Sequence, residues 1–505
     1  MAFFKKYRLE ILIFIAISTL YFLTRLHNIL GLPIFTDEAI YVRWAQIAKN
    51  DANWRFISLT DGKQPMFVWL AMVFMKFIKD PLFAGRIVSV FSGFFSMVGL
   101  YFLGRELFKN RLVGLLSSCL YLLYSFGLVY DRMALYDSLV GAFAIWGLYL
   151  EVLLVRRIRL DIAFLSALVV GGGMLTKTNA FFNIYFLPLT LWLFDFKSYK
   201  KVERLFKWIG LAILVVVLSI LYYSVLRLSP FFHIIDEKNA LFVYPFKEWI
   251  LHPFTFFLGN LFIGQWDWLM RYVTLPILFL VVLSIFIERK FLQEKILLLF
   301  WFLVPFLYLA LFGKTIYPRH ILFMTLFLLP LAAFSLKKIS EIVKNKFLFS
   351  LLLIFCIVFQ VRSDYYILFD FAHAPIPVSD LNQYNNDWPA GQGISESIQF
   401  FKEKSKNQKI LIATQGTFGM MPAAYEIYLK DNRNIQLQGY WPIEDTIPSA
   451  LLEKSKKMPV FIVFHEPCAP CEGKGLAPVS WKLSPVFQFQ KTAPYAYLTV
   501  YQIKP

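Results

Sequence analysis

Long apolar stretches separated by short basic ones fill the first 363 residues. A helix needs about 20 apolar residues to cross the hydrocarbon core. Eleven stretches reach or approach that length: 9–26, 82–103, 112–130, 134–154, 160–176, 179–195, 208–228, 272–288, 296–313, 318–336 and 347–363. The run PMFVWLAMVFMKFI at 65–78 is apolar but short, which suits an interfacial or re-entrant segment. Past residue 363 the pattern changes. KILIATQG and PVFIVFHE are β-rich runs ended by turn or polar residues, and SESIQFFKEK and MPAAYEIYLK have helical spacing. Their alternation predicts βαβ-type units. The chain therefore reads as a polytopic helical membrane module of about eleven spans, 1–363, with a long first outer loop at 27–81 and a soluble α/β domain at 364–505. The Pro- and Asn-rich piece from Ala374 to Gly393 is a linker or an ordered loop.

Composition agrees. Of 505 residues, 58% are hydrophobic and 17% charged, whereas a soluble domain carries about 25% charged residues. Soluble, disordered, collagen-like and disulfide-rich classes are excluded. The net charge of +18 falls wholly within 1–363, because the remainder balances 13 Lys and Arg against 13 Asp and Glu. No basic run with interleaved aromatics stands outside the apolar part, so nucleic acid is not an expected partner. Placing the N-terminus in the cytoplasm makes segments 1–8, 104–111, 155–159, 196–207, 289–295 and 337–346 cytoplasmic, and every one is basic. An odd number of spans then puts the C-terminal domain on the extracytoplasmic side of the cell membrane. The first span has a basic flank without a small-residue cleavage site after it, as an uncleaved anchor would.

Ionisable groups beside a membrane are costly and point to function. On the expected outer side they gather in a few short loops. Asp37 and Glu38 open FTDEAIYVRWAQI, a helix whose Ile40, Trp44 and Ile47 form one apolar face suited to lying along the bilayer; acids there also serve as plain helix caps. Lys63 lies in DGKQPMFVW, where a snorkelling anchor is the simpler role. Asp131, Arg132 and Asp137 lie in YDRMALYD, with Asp137 at the mouth of a span and Arg132 its obvious partner. Lys177 in MLTKTN, and Lys314, Tyr317, Arg319 and His320 in GKTIYPRH, face the same way. Acids and cations around one membrane face suit a site that holds a phosphate with cations and activates an acceptor with a carboxylate.

In this order the residues resemble the lipid-linked-sugar glycosyltransferases of the GT-C fold, notably the protein O-mannosyltransferases (glycosyltransferase family 39) and the bacterial aminoarabinose transferases of lipid A. The resemblance covers most of 1–336. It rests on Asp37–Glu38, on Lys63-Gln64-Pro65 leading to Trp69 with Gln in place of the first Pro of a Lys-Pro-Pro element, and on Leu103-Gly104-Arg105-Glu106-Leu107-Phe108. It continues with Asp137, Leu175-Thr176-Lys177, and Pro318-Arg319-His320 with Pro330, His standing where the family commonly has Tyr.

The resemblance implies transfer of a sugar from a polyprenyl- or dolichyl-phosphate donor to a protein, lipid or glycan hydroxyl, with inversion, on the extracytoplasmic face. Asp37 would be the general base, Glu38 its support, and Asp137 a positioning acid. Lys63, Lys177, Arg319 and His320 would stabilise the phosphate, with Arg132 and Tyr317 among the substrate contacts. Asp37 and Asp137 are also candidates to hold Mg²⁺ or Mn²⁺. A transporter of a lipid-linked or anionic substrate is the alternative, although its charges belong near mid-membrane and among internal repeats. A membrane-anchored binding protein is a third reading, but it gives no reason for so many spans. Cys119 and Cys356 read as apolar fillers. Cys468 and Cys471 in HEPCAPC leave a local disulfide, free thiols and a half metal site open.

Overall fold

The structure is a computed structural model that describes residues 2–251, 254–466, 477–494 and 496–505; Cys468 and Cys471 lie outside the described residues. Among those residues, five helices are long and apolar enough to cross a membrane, and two sharply bent pairs raise the number to seven. That number is smaller than the eleven apolar stretches because several of those stretches are not single long helices. The apolar stretches are helical, but several are interrupted. The stretch 112–130 divides into a helix at Arg111–Leu122 and a short one at Ser125–Tyr130. The stretch 179–195 is a string of turns with Pro188 in the last, since proline removes a helix donor. The stretch 272–288 is one arm of a pair bent by 94°, and 318–336 belongs to a pair bent by 49°. The run at 65–78 forms only the nine-residue helix Met66–Phe74.

The elements that build the site are α1 (Ala2–Leu26), α2 (Thr36–Asn50), α3 (Met66–Phe74), α4 (Pro81–Phe108), α5 (Arg111–Leu122), α6 (Ser125–Tyr130), α7 (Asp137–Arg157) and α8 (Leu160–Met174). Local chemistry starts and joins them. Asp80 caps α4 by accepting from the Phe83 amide at 2.7 Å, with Pro81 at the first helical position. Asn110 caps α5 through the Leu112 and Val113 amides. Small residues let α4 approach its neighbours: a Cβ added to Gly99 would meet Ile145 of α7 at 2.7 Å, and one on Gly104 would meet Ser117 of α5 at 2.8 Å.

The helix α2 does not lie on a bilayer surface as its apolar face suggests. Ile40 and Trp44 are buried. Its neighbours are α3 and α4 within the membrane module and the helix Met420–Leu429 beyond it. Arg43 forms a 2.6 Å ion pair with Glu426, and the Gln46 side chain donates to the Ile427 carbonyl at 3.0 Å. The apolar face is taken up by protein.

Beyond the last long helix (Lys346–Phe369) the chain forms a five-stranded sheet: β1 (Ile410–Gln415), β2 (Ile435–Tyr440), β3 (Val460–Glu466), β4 (Pro485–Gln490) and β5 (Tyr497–Ile503), in the order β2-β1-β3-β5-β4. The first three are parallel and the last two add antiparallel. β1 is buried on both faces through Thr414 and opens with the apolar run Ile410–Ala413.

The start of α2 is held by a buried pair. Glu38 accepts from the Phe35 amide at 3.0 Å and the Ala134 amide at 2.6 Å, and both its oxygens meet Arg86 of α4, at 2.8 and 2.7 Å. Arg86 also donates to the carbonyls of Ile29, Leu32 and Pro33. Neither side chain has solvent exposure. Removing one partner of such a pair leaves the other charge buried and alone, at a cost of roughly 3–5 kcal/mol. Arg86→Met is therefore expected to lower the melting temperature of the detergent-purified protein sharply, and unchanged unfolding would show that Glu38 is held by its amide donors alone.

Candidate active site

Two loops more than a hundred residues apart in the chain meet first. The Met66 amide donates to the Leu175 carbonyl at 3.0 Å, and the Gln64 side chain donates to the Thr178 hydroxyl at 2.9 Å. The segment carrying Lys63 is thereby fastened to the one carrying Lys177. Lys177 reaches Asp137, at the first turn of α7, with a 2.7 Å bond. Asp37, on the first turn of α2, forms a 2.9 Å ion pair with Arg319. The guanidinium of Arg319 lies over the rings of Phe35 and Tyr317, 5.5 and 5.2 Å from their centroids. Burial pushes the Lys63 ammonium down to about 8; Asp37 and Asp61 oppose that fall, while Lys177 and Arg319 add to it. These are effects of neighbours, so Lys63, Lys177, Arg319, Asp37 and Asp137 belong to one cluster. His320 is within electrostatic reach of the same three cations, and its Nδ1 accepts from the Tyr317 amide at 3.3 Å.

Other expected residues lie elsewhere. Glu38 is consumed by Arg86 and the two amides, so it orients α2 and has no oxygen to spare. Arg132 does not pair with Asp137: it donates to the His27 carbonyl at 2.8 Å and the Ile367 carbonyl at 3.3 Å, tying the chain after α6 to the end of α1 and to the last long helix. Asp131 is likewise structural, accepting from Tyr21, Tyr121 and Ser138, with Arg25 at 3.6 Å. Nor do Asp37 and Asp137 suit a divalent ion. Each is already matched by a cation, and among the described residues no three His, Cys, Asp or Glu side chains converge. Mg²⁺ and Mn²⁺ need several oxygen ligands, which this donor set does not supply.

Sequence reasoning missed two contributors. Arg86 lies inside an apolar helix, and a charge there is itself a signal. The second is the strap at 378–391, within the piece read as a linker or loop. Its Tyr384 ring meets Phe35 edge-on at 4.9 Å, on the ring that also carries Arg319. Tyr130 bonds to Tyr384 at 3.0 Å and donates to Asp380 at 2.8 Å, and Tyr272 donates to the same Asp380 oxygen. The strap backbone then pairs with the entry to α2: Thr36 amide to Pro389 carbonyl at 3.1 Å, Gly391 amide to Ile34 carbonyl at 2.8 Å. From the sheet, Lys491 donates to the Asp387 and Ala390 carbonyls at 3.0 and 2.8 Å.

Comparison with known proteins adds to this geometry. The family description Dolichyl-phosphate-mannose-protein mannosyltransferase matches residues 62–223. Two crystal structures of ArnT from Cupriavidus metallidurans superpose over 98% of both chains at 12% identity. The apo form gives a TM-score of 0.60, and the form bound to undecaprenyl phosphate 0.57. The chain has the GT-C fold. An undecaprenyl phosphate-alpha-4-amino-4-deoxy-L-arabinose arabinosyl transferase of Pectobacterium carotovorum is 27% identical over 300 residues, 54% of this chain. That match spans half the length of the relative, 50%. With its apolar helices, this GT-C chain is a multi-pass membrane protein.

Burial pushes the Asp380 carboxyl up to about 7, against the lowering effects of Tyr272, Tyr130 and Arg319. Because its folded value exceeds the ordinary carboxylate range near 4, the native state holds this proton longer than the unfolded chain. The group's contribution to stability is full below about pH 4 and is lost as pH rises toward 7. Asp380→Asn removes that loss. Its melting temperature relative to the natural protein is expected to rise between pH 5 and pH 8, and a constant difference would show that Asp380 does not titrate there.

Proposed function

We propose that the protein is an inverting membrane glycosyltransferase that moves a sugar from a polyprenyl-phosphate carrier to an acceptor hydroxyl. The observation that carries this is the convergence of Lys63, Lys177 and Arg319 on the two carboxylates Asp37 and Asp137. Three cations beside two acids match a reaction in which a phosphate leaves while a hydroxyl loses its proton. The GT-C fold and the named relatives support the same reading over a transporter.

In the reaction, Asp37 takes the proton of the acceptor hydroxyl as its oxygen attacks the anomeric carbon. The bond from that carbon to the phosphate oxygen breaks, and the electron pair leaves with the carrier phosphate as a monoester dianion. Lys63, Lys177 and Arg319 stabilise that charge. Before the donor arrives, Arg319 neutralises Asp37 and Lys177 neutralises Asp137. The incoming phosphate competes for both cations, and Asp37 is released to act as a base as they turn toward it. Asp137 then orients Lys177. The cluster faces the extracytoplasmic side of the cell membrane, in keeping with basic loops on the opposite side.

Asp37→Asn is expected to abolish consumption of a radiolabelled polyprenyl-phosphate sugar by purified protein while leaving insertion and stability intact; retained turnover would remove Asp37 as the base. Lys63 supplies a pH signature. Its charge is present below about 8 and lost above, so kcat/KM for the donor falls as pH rises through that value. Lys63→Arg keeps the charge and is expected to remove this alkaline limb. A limb that persists in Lys63→Arg would assign the titration to another group.

A further inference from the structure

The sheet unit leaves three large aromatic side chains exposed among its described residues after 370: Trp388 at 46%, Phe418 at 58% and Trp441 at 59%. Phe418 and Trp441 lie at one edge of the sheet, and Trp388 lies in the strap that pairs with the entry to α2. Phe418 is in the turn Gly416-Thr417-Phe418-Gly419 that follows β1, and Trp441 directly follows β2. The Gly416 amide donates to the Tyr440 carbonyl at 2.8 Å, which joins the two turns. Gly416 and Gly419 both have positive φ, +100° and +111°, and a Cβ on Gly439 would meet the Gly416 carbonyl oxygen at 2.5 Å. Glycines therefore hold this edge in shape.

The edge is also the carboxyl end of the parallel strands. Open α/β sheets bind ligands outside the carboxyl ends of their strands. Here the ends of β1 and β2 abut the start of α2. A Cβ on Gly419 would lie 3.9 Å from Thr36, and Phe418 meets Trp44 with ring centroids 6.4 Å apart. Trp388 precedes Pro389, whose carbonyl accepts from the Thr36 amide. The turn carrying Phe418 and the backbone that follows Trp388 thus both reach the start of α2, beside Asp37.

Clustered exposed rings mark a binding surface. Here charge identifies the occupant. The turn after Trp441, WPIEDTIP, carries exposed Glu444 and Asp445 and no cation, whereas attraction to an anionic bilayer needs lysine or arginine. Aromatic faces take the C–H side of a sugar ring, and carboxylates accept from its hydroxyls. We propose that Phe418 and Trp441, flanked by Trp388 and edged by Glu444 and Asp445, form a carbohydrate platform that holds a sugar-bearing acceptor with one hydroxyl toward Asp37. The acceptor role rests on the glycosyltransferase reading; carbohydrate binding does not.

Saturation-transfer NMR on the full chain in detergent tests it, with three probes: a β-1,6-linked glucosamine disaccharide, an N-acetylglucosamine disaccharide and a mannobiose. At least one is expected to receive saturation at its ring C–H protons. In the double variant Phe418→Ala, Trp441→Ala its affinity falls about tenfold or more, while Phe418→Tyr with Trp441→Phe restores it. Binding of the polyprenyl-phosphate donor, assayed separately, reports on the cation cluster and keeps its natural value. No binding of any probe by the natural protein, or equal binding by the double variant, overturns the platform. So does quenching of Trp441 by brominated phosphatidylglycerol, read as the difference from Trp441→Phe in lipid nanodiscs, because the rings would then contact the bilayer. Failure of donor turnover with intact disaccharide binding overturns the transferase reading instead.

Discussion

The site depends on one buried ion pair that takes no part in the chemistry proposed for it. Glu38 follows Asp37 directly, and its carboxylate is fixed by Arg86 from a neighbouring helix as well as by two backbone amides. A charge with no access to water must keep its partners, so the first turn of α2 has little freedom. Arg86 extends the constraint by binding three carbonyls of the loop that enters α2. Asp37 is thus presented from a rigid platform on the side where Arg319 stands. The same logic governs Asp131 with Arg25 and three hydroxyls. Glu38 and Asp131, both without solvent exposure, hold the frame, while Asp37 keeps some exposure.

Charge balance in the site follows a related pattern. Asp37 is 26% exposed and Asp137 is 7% exposed, and each is matched by one cation. Among the described residues Lys63 has no such bonded acid, and it lies against the Phe242 ring, 5.4 Å from its centroid. Its depressed basicity is the result: burial and two neighbouring cations act against its proton more strongly than Asp37 and Asp61 support it. A cluster with an unmatched ammonium is ready for an additional anion.

Much of this was legible in the sequence, for physical reasons. Charges beside apolar runs are scarce enough to stand out, and Asp37, Lys63, Asp137, Lys177 and Arg319 do come together. The strands KILIATQG and PVFIVFHE also correspond to β1 and β3. Partners were less legible, because pairing depends on helix packing. Arg132 is five residues from Asp137 yet binds carbonyls, whereas Lys177, forty residues away, makes the bond. Apolar length did not show where proline or a sharp bend breaks a helix, since hydropathy averages over such breaks. The role of residues 378–391 was hidden most thoroughly: its working contacts are backbone carbonyls and tyrosine hydroxyls, which leave no pattern of charge or period.

That strap changes what kind of object the sheet unit is. It is joined to the helices by a segment whose carbonyls are shared, Pro389 serving Thr36 and Ala390 serving Lys491. A tether of this kind has no slack. Grafting a different domain after the last long helix would therefore not amount to exchanging a module, because the graft would have to bring its own strand-like edge for Ile34 and Thr36 and its own cation for the carbonyls. The boundary drawn by composition is a boundary of solvent, from lipid to water, and the mechanical unit runs straight across it.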